Sequence, residues 1–178
     1  MKVLPSLLSM LGLMVSTPAV QAAGPEPLPT VPYVDLTRYA GLWYEIASIP
    51  VLAQRGCTNT TATYTLRDDG KVDVVNACNS FFFRGPERIA KAVARVDDPQ
   101  TNAKLKVQFE GSPAEGNYWV VDLDPNYQWA VVGEPSTTFV WILSRTPTLD
   151  PALTEELIAE IEGWGYDIER LNMTPQKP

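Results

Sequence analysis

From Gly41 to Ser144 the chain breaks into about eight short segments of period two, joined by turns of hairpin length. This pattern constrains the fold more than any other feature. Successive side chains alternate faces in a strand, whereas a helix repeats about every 3.6 residues. Residues 103–109 alternate most cleanly, with Leu105, Val107 and Phe109 on one face and Lys104, Lys106 and Gln108 on the other. Residues 59–66 are rich in β-branched side chains, Arg67-Asp68-Asp69-Gly70 turns the chain, and residues 71–76 return as the second arm of a hairpin. Further strands are predicted over 89–96, 118–123, 129–132 and 138–144, punctuated by Asp97-Asp98-Pro99, Asp124-Pro125-Asn126 and Glu134-Pro135-Ser136. Strands in such tandem order predict a mainly-β protein whose eight-stranded antiparallel up-and-down sheet closes into a barrel. A two-sheet sandwich is the alternative.

Two segments frame this run. The first strand, GLWYEIASIP at 41–50, sends Trp43, Glu45 and Ala47 to one face and Leu42, Tyr44 and Ile46 to the other, and follows a short capped turn that starts at Asp35. After Pro147 the period changes. Asp150 can cap a helix, Pro151 suits its first position, Leu153, Leu157 and Ile161 form an apolar stripe helped by Ile158, and Gly163 ends it. One such helix after a barrel is expected to pack outside it. Its polar face is acidic, unlike that of a membrane-inserting helix.

At the N-terminus, Met1-Lys2 precedes an apolar run to Val15, and small residues follow. Residues 1–22 are therefore read as a secretory signal peptide, 23–33 as a proline-rich leader, and 34–178 as one domain. The mature protein is expected to be exported, either periplasmic or secreted. The first cysteine is Cys57, so a lipoprotein cysteine after the apolar run is not found.

The sequence holds 21 acidic and 14 basic residues and no histidine, for a net charge of −7. Lys and Arg form no cluster interleaved with aromatics, which argues against nucleic acid and anionic membrane surfaces as partners. The absence of histidine removes the usual general base and the commonest zinc and haem ligand. No cofactor or metal is expected. Two cysteines in an exported chain predict a Cys57–Cys78 disulfide, with a nucleophilic or metal-binding thiol as the sharper alternative. If residues 67–70 form the hairpin loop, Leu66 faces Lys71, Cys57 faces position 80, and Cys78 is its diagonal neighbour. A bulge at Gly70 would shift that register.

Several motifs in order then resemble a known family. Gly41-Leu42-Trp43-Tyr44 is similar to the first lipocalin motif, and Thr61-Ala62-Thr63-Tyr64-Thr65-Leu66 with Asp69-Gly70 to the hairpin that follows it. Asp124-Pro125-Asn126-Tyr127 stands where the second motif falls, with Pro-Asn-Tyr in place of the usual Thr-Asp-Tyr. Trp141-Ile142-Leu143-Ser144-Arg145-Thr146-Pro147 is similar to the third motif in its bacterial version. The chain thus resembles bacterial lipocalins, which are related to plant temperature-induced lipocalins and apolipoprotein D.

The resemblance implies that Gly41, Trp43 and Arg145 close the barrel base, with the guanidinium across the indole face. Alternation then places Ala47, Ala62, Tyr64, Val74, Asn76, Leu105, Val107, Phe109, Val121, Phe139 and Trp141 on the cavity wall as ligand-binding candidates. Glu45 is expected on the same inward face, as a polar contact near the floor. The implied function is non-enzymatic binding, storage or transport of a fatty acid, lysophospholipid or similar lipid, with a role in envelope maintenance. Two alternatives stand beside it: an isomerase-like enzyme using a cavity thiol or Glu45, and an interaction protein that binds partners through its loops. Monomer and dimer both remain open.

Overall fold

A computed structural model describes residues 27–80 and 85–177; the expected signal peptide and the first residues of the leader lie outside them. A single turn, α1 (Leu36–Tyr39), leads into eight antiparallel strands in chain order. They are β1 (Gly41–Ile49), β2 (Cys57–Leu66), β3 (Val72–Ser80), β4 (Glu87–Val96), β5 (Lys104–Phe109), β6 (Gly116–Leu123), β7 (Trp129–Gly133) and β8 (Val140–Ser144). Each strand pairs with the next, and β1 pairs with both β2 and β8, so the sheet closes into a barrel rather than splitting into a sandwich. The helix α2 (Pro151–Gly163) follows, and a two-residue strand, β9 (Asn172–Met173), adds to β1 at Ala47 and Ser48.

The apolar residues form two cores, one inside the barrel and one outside. The inner core gathers Trp43, Tyr64, Val74, Leu105, Val107, Val120, Val132 and Leu143. The outer core lies between the sheet and α2, where Leu157 and Ile161 meet Ile46, Ile49, Val131, Val140 and Ile142. Asp150 caps α2 by accepting from the amides of Ala152 and Leu153. Thr154 is buried on this face while Leu153 packs at its margin, so the stripe is rotated slightly from the expected one.

Two cavity expectations are corrected here. Ala47 is fully buried in the outer core, because the β1–β8 register shifts between Glu45, opposite Leu143, and Ala47, opposite Ile142. Val121 also faces outward, because it follows the inward-facing Tyr118 and Val120 in regular alternation; the β6–β7 register shift comes after it and turns Asp122 to the same side. A bulge adds one residue to a strand, and every side chain beyond it changes face.

The β2–β3 hairpin differs from the expected register at one end and agrees at the other. Leu66 is opposite Val72 and the loop spans 67–71, with Gly70 in the left-handed region at φ 78°. A second irregularity between Thr58 and Thr61, where Asn59 has φ 52°, then restores the offset, and Cys57 lies opposite Ser80. Cys78 becomes its diagonal neighbour and the Cys57–Cys78 disulfide forms across a Cα–Cα distance of 5.5 Å. The described part of the expected leader lies against the barrel: Leu28 enters the outer core and the Val31 amide donates to the Val120 carbonyl.

Candidate functional site

The barrel is closed at one end by a cation. The Arg145 guanidinium lies 3.8 Å from the centroid of the Trp43 ring. It donates to the carbonyls of Leu42, Arg38, Tyr39 and Tyr127 at 2.7–3.2 Å. The Trp43 indole N–H donates to the Tyr39 carbonyl at 2.8 Å, so α1 is tied across the opening. Gly41 belongs to the same unit: its φ is 100°, and a Cβ there would stand 3.3 Å from an Arg145 nitrogen. Burial lowers the Arg145 pKa from its ordinary value. Cation–π contact and carbonyl acceptors stand in for the solvent it loses.

Above this base is a cavity of about 800 Å³. Of the expected wall residues, Ala62, Tyr64, Val74, Asn76, Leu105, Val107, Phe109, Phe139 and Trp141 line it. Ala47 and Val121 do not. Phe109 and Ile89 stand at the open rim, 38% and 57% exposed. Residues 51–54, which carry a short 3-10 turn, cross the mouth, and Gln54 accepts from the Trp141 indole at 3.1 Å.

Alternation alone overlooks the polar floor. Tyr39 and Tyr118 hydroxyls are 2.8 Å apart, and Tyr118 donates to Tyr64 at 2.9 Å. Burial raises all three phenol pKa values, that of Tyr64 to about 12. The three hydroxyls are therefore neutral over the ordinary pH range. Tyr118 was within reach of the sequence: it lies opposite Leu105, on the strand whose two faces are unambiguous. Tyr39 was not, because its place under the barrel depends on α1 folding back across the end.

Glu45 points inward, and its carboxylate stands on the wall toward the mouth rather than at the floor. It accepts from Ser48 at 3.0 Å, Gln54 at 2.8 Å and Thr174 at 2.6 Å. Burial pushes its pKa up, and the three donors oppose that shift. Thr174 belongs to the C-terminal segment, which fills a gap in the barrel. β1 and β2 pair only from Gly41 to Tyr44, and beyond that point the strands separate. The Thr174 amide donates to Ile46, the Asn59 amide to Pro175, and the Gln176 side chain to both Glu45 and Thr60 carbonyls.

Cys57 and Cys78 face the cavity near its mouth, and both are in the disulfide, so neither offers a thiol. Arg88 lines the same region and donates to the Ala53 carbonyl at 2.6 Å. Among the described residues, no group of three His, Cys, Asp or Glu side chains is placed to hold a metal, and no helix is long and apolar enough to cross a membrane.

Comparison with known proteins agrees with this geometry. The family model for the Lipocalin-like domain matches residues 34–176. Temperature-induced lipocalin-1 of Arabidopsis thaliana is 40% identical over 150 residues, 80% of each chain. The outer membrane lipoprotein Blc of Escherichia coli K12 is 38% identical over 146 residues, 82% of this chain and 81% of that one. Among solved structures, insecticyanin of Manduca sexta superposes with a TM-score of 0.65 at 20% identity, covering 84% of this chain and 85% of its own. That likeness speaks for the fold alone.

Proposed function

This chain belongs to the lipocalin family, and from that premise we propose that it binds, stores or transports a small hydrophobic molecule in its barrel without catalysing a reaction. The observation that carries the reading is the 800 Å³ cavity, walled by aliphatic and aromatic side chains and closed at one end by Trp43 and Arg145. A lipid chain entering it gains about 0.8 kcal/mol for each methylene buried. A fatty acid or lysophospholipid fits best. Its chain would run toward the Tyr39–Tyr118–Tyr64 floor and its charged head would stay at the mouth beside Arg88. Deeper in, the Arg145 guanidinium is committed to backbone carbonyls beneath Trp43 and is not free to pair with the head. An isomerase-like mechanism lacks support: both thiols are oxidised and the Glu45 carboxylate is engaged by three hydrogen-bond donors.

We place the protein in an oxidising, exported compartment, where the disulfide is at home. A role in envelope maintenance accords with the outer-membrane location in the name of the Escherichia coli relative. The lipid anchor in that name is not carried over, since both cysteines of the sequence are in the disulfide. Displacement of a fluorescent fatty acid, with native mass spectrometry of the complex, tests the carrier reading. One lipid per chain at micromolar concentration is expected, and no binding of any lipid class would overturn it.

A further inference from the structure

We propose that the mouth of the cavity holds an ammonium group beside Glu134, Phe139 and Trp141, so that the preferred lipid carries a cationic nitrogen in its head. The proposal rests on the carrier reading and specifies the head of its ligand.

The charges along the cavity lead to this part of the mouth. Among the described residues its acidic and basic lining groups are Glu45, Arg88, Glu115 and Glu134. Glu45 is buried among its three donors, and Glu115 is paired with Arg95 at 2.8 Å. Arg88 and Glu134 are left, and neither is in an ion pair with a described residue.

Glu134, just after β7, is held in place and ionised. Its carboxylate accepts from the Ser136 hydroxyl and from the amides of Ser136, Thr138 and Phe139 at 2.6–3.2 Å. Burial pushes its pKa up, but these donors outweigh burial and hold the carboxyl below its ordinary value. All of them are neutral, so they orient the carboxylate without cancelling its charge. Three reach Oε1 and one reaches Oε2, which leaves Oε2 room for a further donor.

Phe139, which supplies one of those amides, and Trp141 occupy successive inward positions as the chain enters β8. Their rings are half-buried, with centroids 6.4 Å apart and planes tilted by 32°. Aromatic faces attract cations, tryptophan most strongly, and quaternary ammonium groups are recognised in this way. A carboxylate beside two such rings offers an ammonium both countercharge and apolar contact for the carbons on its nitrogen. An anionic group placed there meets repulsion from Glu134. Arg88 stands across the mouth: it donates to the Ala53 carbonyl, while the neighbouring Gln54 accepts from the Trp141 indole. A zwitterionic head can thus turn its phosphate toward Arg88 and its nitrogen toward Glu134, whereas a plain alkylammonium uses the second place alone.

Affinities for myristoyl lysophosphatidylcholine, myristoyl lysophosphatidylglycerol, myristic acid and tetradecyltrimethylammonium test the proposal, read by displacement of a fluorescent fatty acid below micellar concentrations. The choline lipid is expected to bind about fivefold more tightly than the glycerol lipid, which shares its phosphate but lacks the nitrogen. That ratio should collapse toward one in Phe139→Leu and Trp141→Leu, which keep the Glu134 carboxylate and the net charge of the protein, and in Glu134→Gln. Tetradecyltrimethylammonium separates the two sources of the nitrogen: affinity equal to that of the choline lipid supports a cationic amphiphile, and weaker affinity supports a zwitterionic one. A choline lipid that binds no tighter than the glycerol lipid overturns the inference while leaving the carrier reading intact. A preference that persists undiminished in all three variants overturns the assignment to these residues. Binding of none of the four amphiphiles overturns the carrier reading itself, and the inference falls with it.

Discussion

The base of the barrel and the seam between β1 and β2 are both closed, but by different means. At the base, one guanidinium reaches four carbonyls and an indole face, so many weak groups converge on a single side chain. Along the seam, strand pairing stops at Tyr44, and the C-terminal residues bridge the gap through separate hydrogen bonds to Ile46, Asn59, Thr60 and the Glu45 carboxylate. The base concentrates its energy in one residue and should fail at once when that residue is lost. The seam distributes its energy and should weaken by degrees. A carrier is served by this asymmetry: a fixed floor sets the depth of the cavity, and a softer upper wall lies beside the mouth.

The sharpest way to break the comparison is at the base. Arg145→Ala should destabilise the fold by about 3–4 kcal/mol, through lost charged hydrogen bonds and unpaired carbonyls, which lowers Tm by roughly 6–16 °C in a domain of this size. Arg145→Lys should recover only part of this, because an ammonium cannot reach several carbonyls while stacking on the ring. An unchanged Tm for Arg145→Ala would refute the account of the base.

At the mouth end, replacing Cys57 and Cys78 together by serine should cost about 2–3 kcal/mol in urea denaturation, mainly through the freer unfolded chain. Truncation after Met173 should cost less, about 2 kcal/mol, and hydrogen exchange should quicken at the upper ends of β1 and β2 before anywhere else. If exchange quickened equally at the base, the two closures would not be independent.

The smallest effect expected is a change of pH slope. Burial raises the folded-state pKa of Glu45, so the folded chain holds this proton more tightly than the unfolded chain does. The stability linked to it is complete below the unfolded carboxyl pKa and is lost as pH rises through the folded value. Glu45→Gln should therefore gain stability relative to the parent protein as pH rises across that window. A parallel pair of stability–pH curves would show that folding does not raise the Glu45 pKa.

Much of this molecule could be read locally. Residues 103–109 disclose both their faces, and the Asp-Gly turn joins β2 to β3. Asp150 and Pro151 start α2, and Trp43 and Arg145 fall on inward faces at the ends of the first and last barrel strands. In each case neighbouring residues carry the information, because alternation and capping act over a few residues. Ala47 and Val121 show where that ends. β1 and β6 are buried on both faces, one by the cavity and one by the outer core, so apolar residues occupy both sets of positions: the bulge that turns Ala47 outward leaves no trace in the pattern, and neither does the phase that puts Val121 outside. The cysteine pair shows a subtler limit: the offset at Cys57 agrees with a four-residue loop only because a bulge near Asn59 compensates a longer one.

The sequence by itself determined that this chain alternates, turns at hairpin intervals and ends in one amphipathic helix, since those properties are fixed by side-chain periodicity and turn chemistry. Only the tertiary structure decided which residues meet across the barrel. It brought three tyrosines from α1, β2 and β6 into one chain of hydroxyls and laid Thr174 and Gln176 along the seam beside Glu45. The physical reason is closure: joining β1 to both β2 and β8 makes neighbours of residues that no periodicity relates, and hydrogen-bond geometry then decides which of them become partners.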